Sequence, residues 1–449
     1  MTYQATVEQL YALGHELAIT PSHKFDLAYV REMLAALGNP ERRFPSVLIA
    51  GTNGKGSTAA TLASILRVAG YKTALYSSPH LVHINERIRV NGEAITDVEF
   101  SEIYDRVERT AQQLLHSEKL PWHPSFFEML TAMAFEYFAS VAVEIAVLEV
   151  GMGGRLDATN VVDPLISVIA DISLDHQKYL GNTIGEIARE KAGIVRENGL
   201  VVTLPQHPEA NDVIGHAILD HHATGISAVK YVPPVSPGAA GYLARSVVAA
   251  LGRNRYPLTV MGEEILVDSP LAGRHQLRNI ALAVAMAEEL SRFGFKVTPQ
   301  QIERGIRETH WPGRFQLLPP SPATRGHEVV LDVAHNPAGI WALRSALSES
   351  FPDREFTLIF GAMRDKAVQE MADILFPIAE HVVATHIENP RSASTDEILQ
   401  AGSRTGASMV AEETVVAALA RATDITSSNG VIVVTGSIFL VGDVMKVLR

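Results

Sequence analysis

Apolar and polar positions alternate along this chain in a repeating order of short buried runs and longer amphipathic stretches. Val47-Leu48-Ile49-Ala50 is an apolar run that reads as a buried strand; glycines at 51, 54 and 56 break it, and Ala59 to Leu66 resumes with helical spacing. Lys72–His80 reads as a strand running into a polar turn, and further strands are predicted at Val143–Val150, Leu165–Ile172 and Val201–Leu204, with a hairpin or loop over Asn85–Glu93. Helices are predicted over Asp97–Glu118, Ser125–Ser140 and Thr183–Glu197. The first 44 residues read as helical, with a second helix opening at Phe25-Asp26-Leu27 and ending near Gly38-Asn39-Pro40. Strand alternating with helix predicts a parallel α/β sheet, whose ligands gather at the strand C-terminal ends.

Beyond Val201–Leu204 the pattern is less informative. Pro233–Gly238 reads as a loop, Tyr256–Val267 as a pair of strands, and Leu271–Asn279 as a polar lead into an apolar helix reaching about Phe293. His310-Trp311-Pro312-Gly313-Arg314 reads as a hinge, dividing the chain into 1–311 and 312–449. A smaller α/β unit then restarts, with strands at Glu328–Val333, Glu355–Phe360, His381–Thr385 and Val431–Thr435. Its helices fall at Gly339–Ser350, Ala367–Leu375, Thr395–Ala401 and Glu413–Thr423. Val431–Val441 reads as a buried strand and turn.

Composition narrows the class. The chain has 449 residues, 47% apolar and 20% charged, as expected of a globular enzyme of two or three domains. The net charge of −12 argues against a nucleic-acid surface but leaves room for small anions, which need only a local basic cluster. Cysteine is absent, so no disulfide, thiolate metal site or thiol nucleophile is available. The N-terminal stretch carries Glu8 and Glu16 and lacks the basic and apolar segments of a secretory signal. No uninterrupted apolar run suffices for a membrane span. A cytoplasmic protein is expected.

Candidate chemistry sits at the strand ends. In VLIAGTNGKGST, glycines let backbone N–H groups close around phosphate at a helix N-terminus, Lys55 reaches the terminal phosphates, and Ser57 or Thr58 offers a hydroxyl to Mg²⁺. The loop departs from the usual G-x-x-x-x-G-K-[ST] form, with Ile49 in place of its first glycine and Gly56 after the lysine. An ordinary glycine turn with a solvated lysine is the alternative. Glu149 closes a buried strand, where either a Mg²⁺ ligand or an edge charge can stand. His176 follows the next strand. Lys191, from spacing alone, reads as a solvated helix charge. His216, His221 and His222 lie in an ordinary helical setting.

Together these residues resemble the folylpolyglutamate synthase/dihydrofolate synthase family of the Mur ligase superfamily. The motifs are GTNGKGS (51–57), SSPH (77–80), NERI (85–88), EVGMGGRLDATN (149–160), LDHQKYLG (174–181), EKAGI (190–194), GRHQLRN (273–279), PGRF (312–315) and DVAHNP (332–337), in family order over nearly the whole chain. GKGS, and DATN after the glycine turn, favour the folate branch over the peptidoglycan ligases. The resemblance implies a P-loop N-terminal ATPase domain and a smaller Rossmann-like C-terminal domain with ATP between them. It implies phosphate binding by Thr52, Asn53, Gly54, Lys55, Gly56, Ser57 and Thr58, and further ATP contacts from Asn279, Arg314, Asp332 and His335. It implies two Mg²⁺ at Ser57, Ser78, Glu149 and His176, a carbamylated Lys191, and a pterin near Pro79, Phe127 and Asp157. Lys55, Lys191 and His176 would be the catalytic set. One departure is Val333, where the family more often has glycine.

The implied reaction is ATP-dependent ligation of L-glutamate to a dihydropteroate or reduced-folate carboxylate through an acyl phosphate, by a monomer. A bifunctional enzyme leads. A monofunctional folylpolyglutamate synthase, a Mur-type cell-wall ligase and a non-enzymatic nucleotide switch are the alternatives.

Overall fold

The computed structural model describes residues 1–14, 26–234 and 252–448. An eight-stranded sheet is built from β1 Ser46–Ala50, β2 Thr73–Tyr76, β3 Ile88–Val90, β4 Glu93–Ala94, β5 Ile145–Glu149, β6 Ile166–Ile169, β7 Leu200–Thr203 and β8 Thr224–Ser227. Its order is β4-β3-β2-β5-β1-β6-β7-β8. The six strands from β2 to β8 across the sheet run parallel, and β3 and β4 form an antiparallel edge.

The period of two along β1 explains why it is central. Val47 and Ile49 face one layer with Ile145 and Val147 of β5. Leu48 and Ala50 face the other with Ala146 and Leu148. Both faces are covered, so the strand reads as a continuous apolar run. Helices Lys55–Val68, Arg274–Glu289 and Pro299–Arg307 cover the first face, with an antiparallel ribbon of β9 Asn254–Val260 and β10 Glu263–Ser269. Helices Tyr3–Ala12, Leu27–Ala36, Asp97–His116 and Phe126–Ser140 cover the second. The last two open on capping boxes, Thr96 with Glu99 and Ser125 with Glu128. The chain leaves β1 for β2, returns through β5 and crosses to β6. The crevice at the C-terminal ends of β5, β1 and β6 is therefore a topological switch point.

A second sheet has the order β11-β12-β16-β13-β14-β15. Its strands are β11 Gln316–Leu318, β12 Glu328–Leu331, β13 Phe356–Phe360, β14 His381–Thr385, β15 Ser408–Glu412 and β16 Val431–Thr435. All pair in parallel except β11. Helices Pro337–Ser350, Val368–Leu375 and Thr395–Gly402 lie on one face; Val415–Ile425 and Ile438–Val447 lie on the other.

Several expectations are revised. Val431–Val441 is a strand to Thr435 and then a helix, Ile438–Val447, because Ser437 caps the new helix by accepting from the Phe439 N–H. The helix expected over Thr183–Glu197 is Ile184–Ala192; Gly193 turns the chain, and its carbonyl accepts a bond from Asn160 instead of continuing the helix. β8, β11 and β15 went unread, being short and half exposed at or near sheet edges. Part of the N-terminal stretch and most of Pro233–Gly238 lie outside the described residues. Among the described residues no helix is long and apolar enough to cross a membrane.

Candidate active site

The loop after β1 is held from β6. The N–H groups of Thr52 and Asn53 donate to the Asp171 carbonyl at 2.8 and 3.1 Å, and the Thr52 hydroxyl bonds the Ser173 backbone. The helix that follows begins at Lys55, earlier than its apolar spacing shows, with Gly54 as its N-cap at φ 86°. A Cβ at Gly54 would stand 2.2 Å from Asn279 Oδ1, so only glycine fits. After the lysine, a Cβ at Gly56 would stand 3.1 Å from Trp311 and 3.3 Å from Glu149 Oε2. A side chain at 56 would have to displace Trp311 or Glu149, which favours the glycine after the lysine.

These backbone groups open into a cavity of about 450 Å³ between the two sheets. Thr52, Asn53, Gly54, Lys55, Gly56 and Ser57 line it, together with Ser78, Glu149, His176, Lys191, Asn279, Arg314, Asp332 and His335. Thr58 does not; its hydroxyl is buried in the helix and has no partner among the described residues. Lys55 Nζ donates back to the carbonyls of Gly51 at 3.0 Å and Thr52 at 3.2 Å. Burial lowers its pKa, with Glu149 and Asp175 pulling the other way. Lys191 is buried rather than solvated, as its spacing had suggested. Its Nζ donates to the same Gly51 carbonyl at 2.9 Å, and burial, then the charge of Lys55, lowers its pKa to about 7.

The carboxylates differ in what they hold. Glu149, buried at the end of β5, accepts from the Ser78 N–H at 3.4 Å. Asp332 accepts from the N–H groups of Phe315 and Ala334 at 2.8 and 2.9 Å, yet burial raises its pKa. Arg314 is half-buried, and the desolvation lowers its pKa against the attraction of Asp332 and Glu149. His335 Nδ1 bonds the Val333 carbonyl at 2.9 Å and burial lowers its pKa to about 4. Val333, the residue that departs from the family pattern, is buried and lines the same cavity. His176 has φ 51° in the turn after β6, and burial, helped by Lys366, lowers its pKa to about 3.

A second cavity of about 610 Å³ adjoins the first and shares Ser78, Pro79, His176 and His335 with it. Pro79, Phe127 and Asp157 all line it, beside apolar Leu27, Val30 and Met152. Asp157 braces the glycine turn, accepting from Met152 N–H at 2.9 Å and from Thr159 N–H at 3.0 Å; burial raises its pKa. Three residues missed from the sequence stand where the cavities meet. Asp175, Asn336 and Lys366 form a buried polar cluster across the two sheets. Asp175 and Asn336 lay inside quoted motifs; Lys366 follows β13 in a turn whose only signal was its place at a strand end.

The chain matches the family models described as "Mur ligase middle domain" over residues 125–287 and "Mur ligase, glutamate ligase domain" over 313–438. It is 33% identical over 425 residues to the dihydrofolate synthase/folylpolyglutamate synthase of Bacillus subtilis, covering 94% of this chain and 95% of that one. The chain belongs to the folylpolyglutamate synthase/dihydrofolate synthase family. As a member of that family it is an ATP-dependent amide ligase of the Mur type. Its fold matches Mycobacterium tuberculosis folylpolyglutamate synthase complexed with ADP and AMPPCP, at TM-score 0.87 and 30% identity over 100% of this chain and 99% of that one. E. coli FolC in complex with DHPP and ADP matches at TM-score 0.80 and 27% identity over 100% and 98%.

Proposed function

We propose that the enzyme ligates L-glutamate to dihydropteroate and then to reduced folates, with ATP in the smaller cavity and the pterin in the larger. The observation that carries this reading is the shared wall of Ser78, His176 and His335 between a cavity lined by the phosphate loop and an apolar one lined by Pro79, Phe127 and Asp157. A carboxylate entering from the larger cavity meets a γ-phosphate from the smaller at that wall. Its oxygen attacks phosphorus and ADP departs; the glutamate amine then attacks the acyl carbon and phosphate departs.

Positioning and charge stabilisation are the protein's contribution to such transfer. Lys55 would exchange two carbonyl partners for phosphate oxygens, a stronger charge-assisted bond. Arg314, Asn279, Asp332 and His335 would hold the nucleotide from the hinge and the second sheet. Among the described residues no three His, Asp or Glu side chains converge into a metal cage. The donors suit Mg²⁺ all the same, because Mg²⁺ takes one or two protein oxygens and completes its shell with phosphate and water. Ser57, Ser78 and Glu149 would hold two ions with His176, and when bound these would draw charge from the γ-phosphate. A pKa of about 7 leaves much of Lys191 as free amine at neutral pH, which supports its reaction with CO₂ to a carbamate. We also propose a domain division at 311/312 and a cytoplasmic monomer, in keeping with a chain free of cysteine.

The test is glutamate-dependent ADP release with dihydropteroate, tetrahydrofolate and a UDP-muramyl substrate. Turnover with both pterins is expected. Turnover with tetrahydrofolate alone would leave only the polyglutamylating activity, and turnover with the muramyl nucleotide alone would overturn the pterin assignment. EDTA is expected to stop ADP release and Mg²⁺ to restore it.

A further inference from the structure

Asp175 and Lys366 stand 191 residues apart and belong to different sheets, yet Lys366 Nζ donates to Asp175 Oδ1 at 2.6 Å. Both side chains are nearly buried, at 8% and 7% exposure. The other carboxylate oxygen accepts from Asn336 Nδ2 at 3.1 Å, and Asn336 Nδ2 also donates to Asn53 Oδ1 at 3.0 Å. A polar chain thus runs from the phosphate loop through Asn336 and Asp175 to Lys366. It spans the two cavities: Asn53 and Asp175 line the smaller and Lys366 the larger. Asp175 also accepts the backbone N–H of His176 at 2.8 Å, so an acceptor is needed there to shape that turn.

That acceptor carries a charge in an unfavourable place. Ligation brings a nucleotide triphosphate and a substrate carboxylate to the junction where Asp175 sits. A lone carboxylate beside two incoming anions in a poorly solvated site repels both. Lys366 neutralises it, but Lys366 comes from the second sheet. Lys55 and Lys191 also attract Asp175 from its own unit, but the direct ion pair exists only while the two sheets are together. We infer that Lys366 is a positioning residue that pairs with Asp175 as the cleft closes, removing a negative charge from the junction of the cavities and tying anion acceptance to closure. The inference rests on the assignment of nucleotide and pterin to these two cavities.

The test compares wild type, Lys366→Met, Lys366→Arg, Asp175→Asn and the double variant Asp175→Asn/Lys366→Met. Two readouts are taken: AMPPCP affinity by calorimetry, and glutamate ligation with dihydropteroate. Lys366→Met is expected to lower kcat/KM by about 100-fold, the scale of leaving a buried charge unpartnered, and to weaken AMPPCP binding. Asparagine at 175 keeps an acceptor without the charge, so the double variant is expected to recover at least about 10-fold over Lys366→Met in both readouts. Lys366→Arg is expected to stay nearer wild type than Lys366→Met. Thermal unfolding of each variant accompanies the assays. A double variant no better than Lys366→Met in either readout would reduce the pair to a packing contact and overturn the inference. Recovery of AMPPCP binding in a protein whose wild type ligates neither pterin would sustain the inference and remove only the substrate assignment.

Discussion

Lys191 Nζ and Lys55 Nζ share the Gly51 carbonyl, at 2.9 and 3.0 Å. Burial disfavours the charged amine, and the repulsion between two ammonium groups on one oxygen adds to it, lowering the Lys191 pKa from its usual 10.5 to about 7. Its amine is free above that pH and protonated below it. Carbamate formation needs the free amine, so ligation is expected to rise as pH increases through about 7, with added bicarbonate recovering part of the loss on the acid side. A rate indifferent to bicarbonate at pH 6.5 would count against the carbamate. Lys191→Ala is expected to cut ligation by at least about 100-fold while ATP affinity changes little, as for a group that acts in the transition state. Wild-type turnover in that variant would remove the residue from the mechanism. Spacing alone shows none of this in REKAG, where Arg189, Glu190 and Lys191 follow one another as ordinary helix charges; only the resemblance carried by EKAGI pointed to a carbamylated Lys191. Burial came from the contact with Gly51, 140 residues away.

At the scale of elements, the helix Lys55–Val68 carries the phosphate loop at one end and is anchored at the other. Ser64 Oγ donates to the Gly305 carbonyl at 2.7 Å, buried, and Arg67 pairs with Glu308 at 2.9 Å near the surface. The exposed pair adds little. Ser64→Ala removes one of two hydroxyl donors to the Gly305 carbonyl, the other being Thr309 Oγ1 at 3.0 Å, and is expected to cost about 1 kcal/mol, read as a lower midpoint in thermal unfolding. An unchanged midpoint would mean that the helix is held by packing alone. The strand, loop and helix here were legible because apolar run, glycines and helical spacing all agree over a short stretch. The helix Ile438–Val447 was not, because its apolar start continues the run of β16 and only the Ser437 cap divides them. Edge strands such as Ser408–Glu412 carry too little burial to leave a pattern.

For the molecule as a whole, the cleft gathers histidines that are kept neutral. Burial lowers the pKa of His275 to about 4, of His335 to about 4 and of His176 to about 3, against 6.5 in an unfolded chain. Between pH 6.5 and 4 the unfolded chain therefore binds protons that the folded chain does not, and stability falls as pH falls. Asp175 acts in the same direction in a lower window. Burial alone would raise its pKa, but Lys366 together with His176 and His335 outweighs it, and that contribution is lost as pH falls below the usual carboxylate range. The unfolding midpoint is expected to drop steadily from pH 7 to 4, and His275→Gln to flatten the slope. A midpoint constant over that interval would mean that these histidines are not held neutral. The sequence alone determined the nucleotide loop, the alternating α/β plan and the family, because a phosphate-binding turn needs its glycines and lysine within a few residues, and strand and helix periods are local. Tertiary structure alone decided that Lys191 turns inward, that Asp157 braces a turn, and that Asp175 meets Lys366. Those contacts join distant segments, and their chemistry depends on how much water the packed sheets exclude.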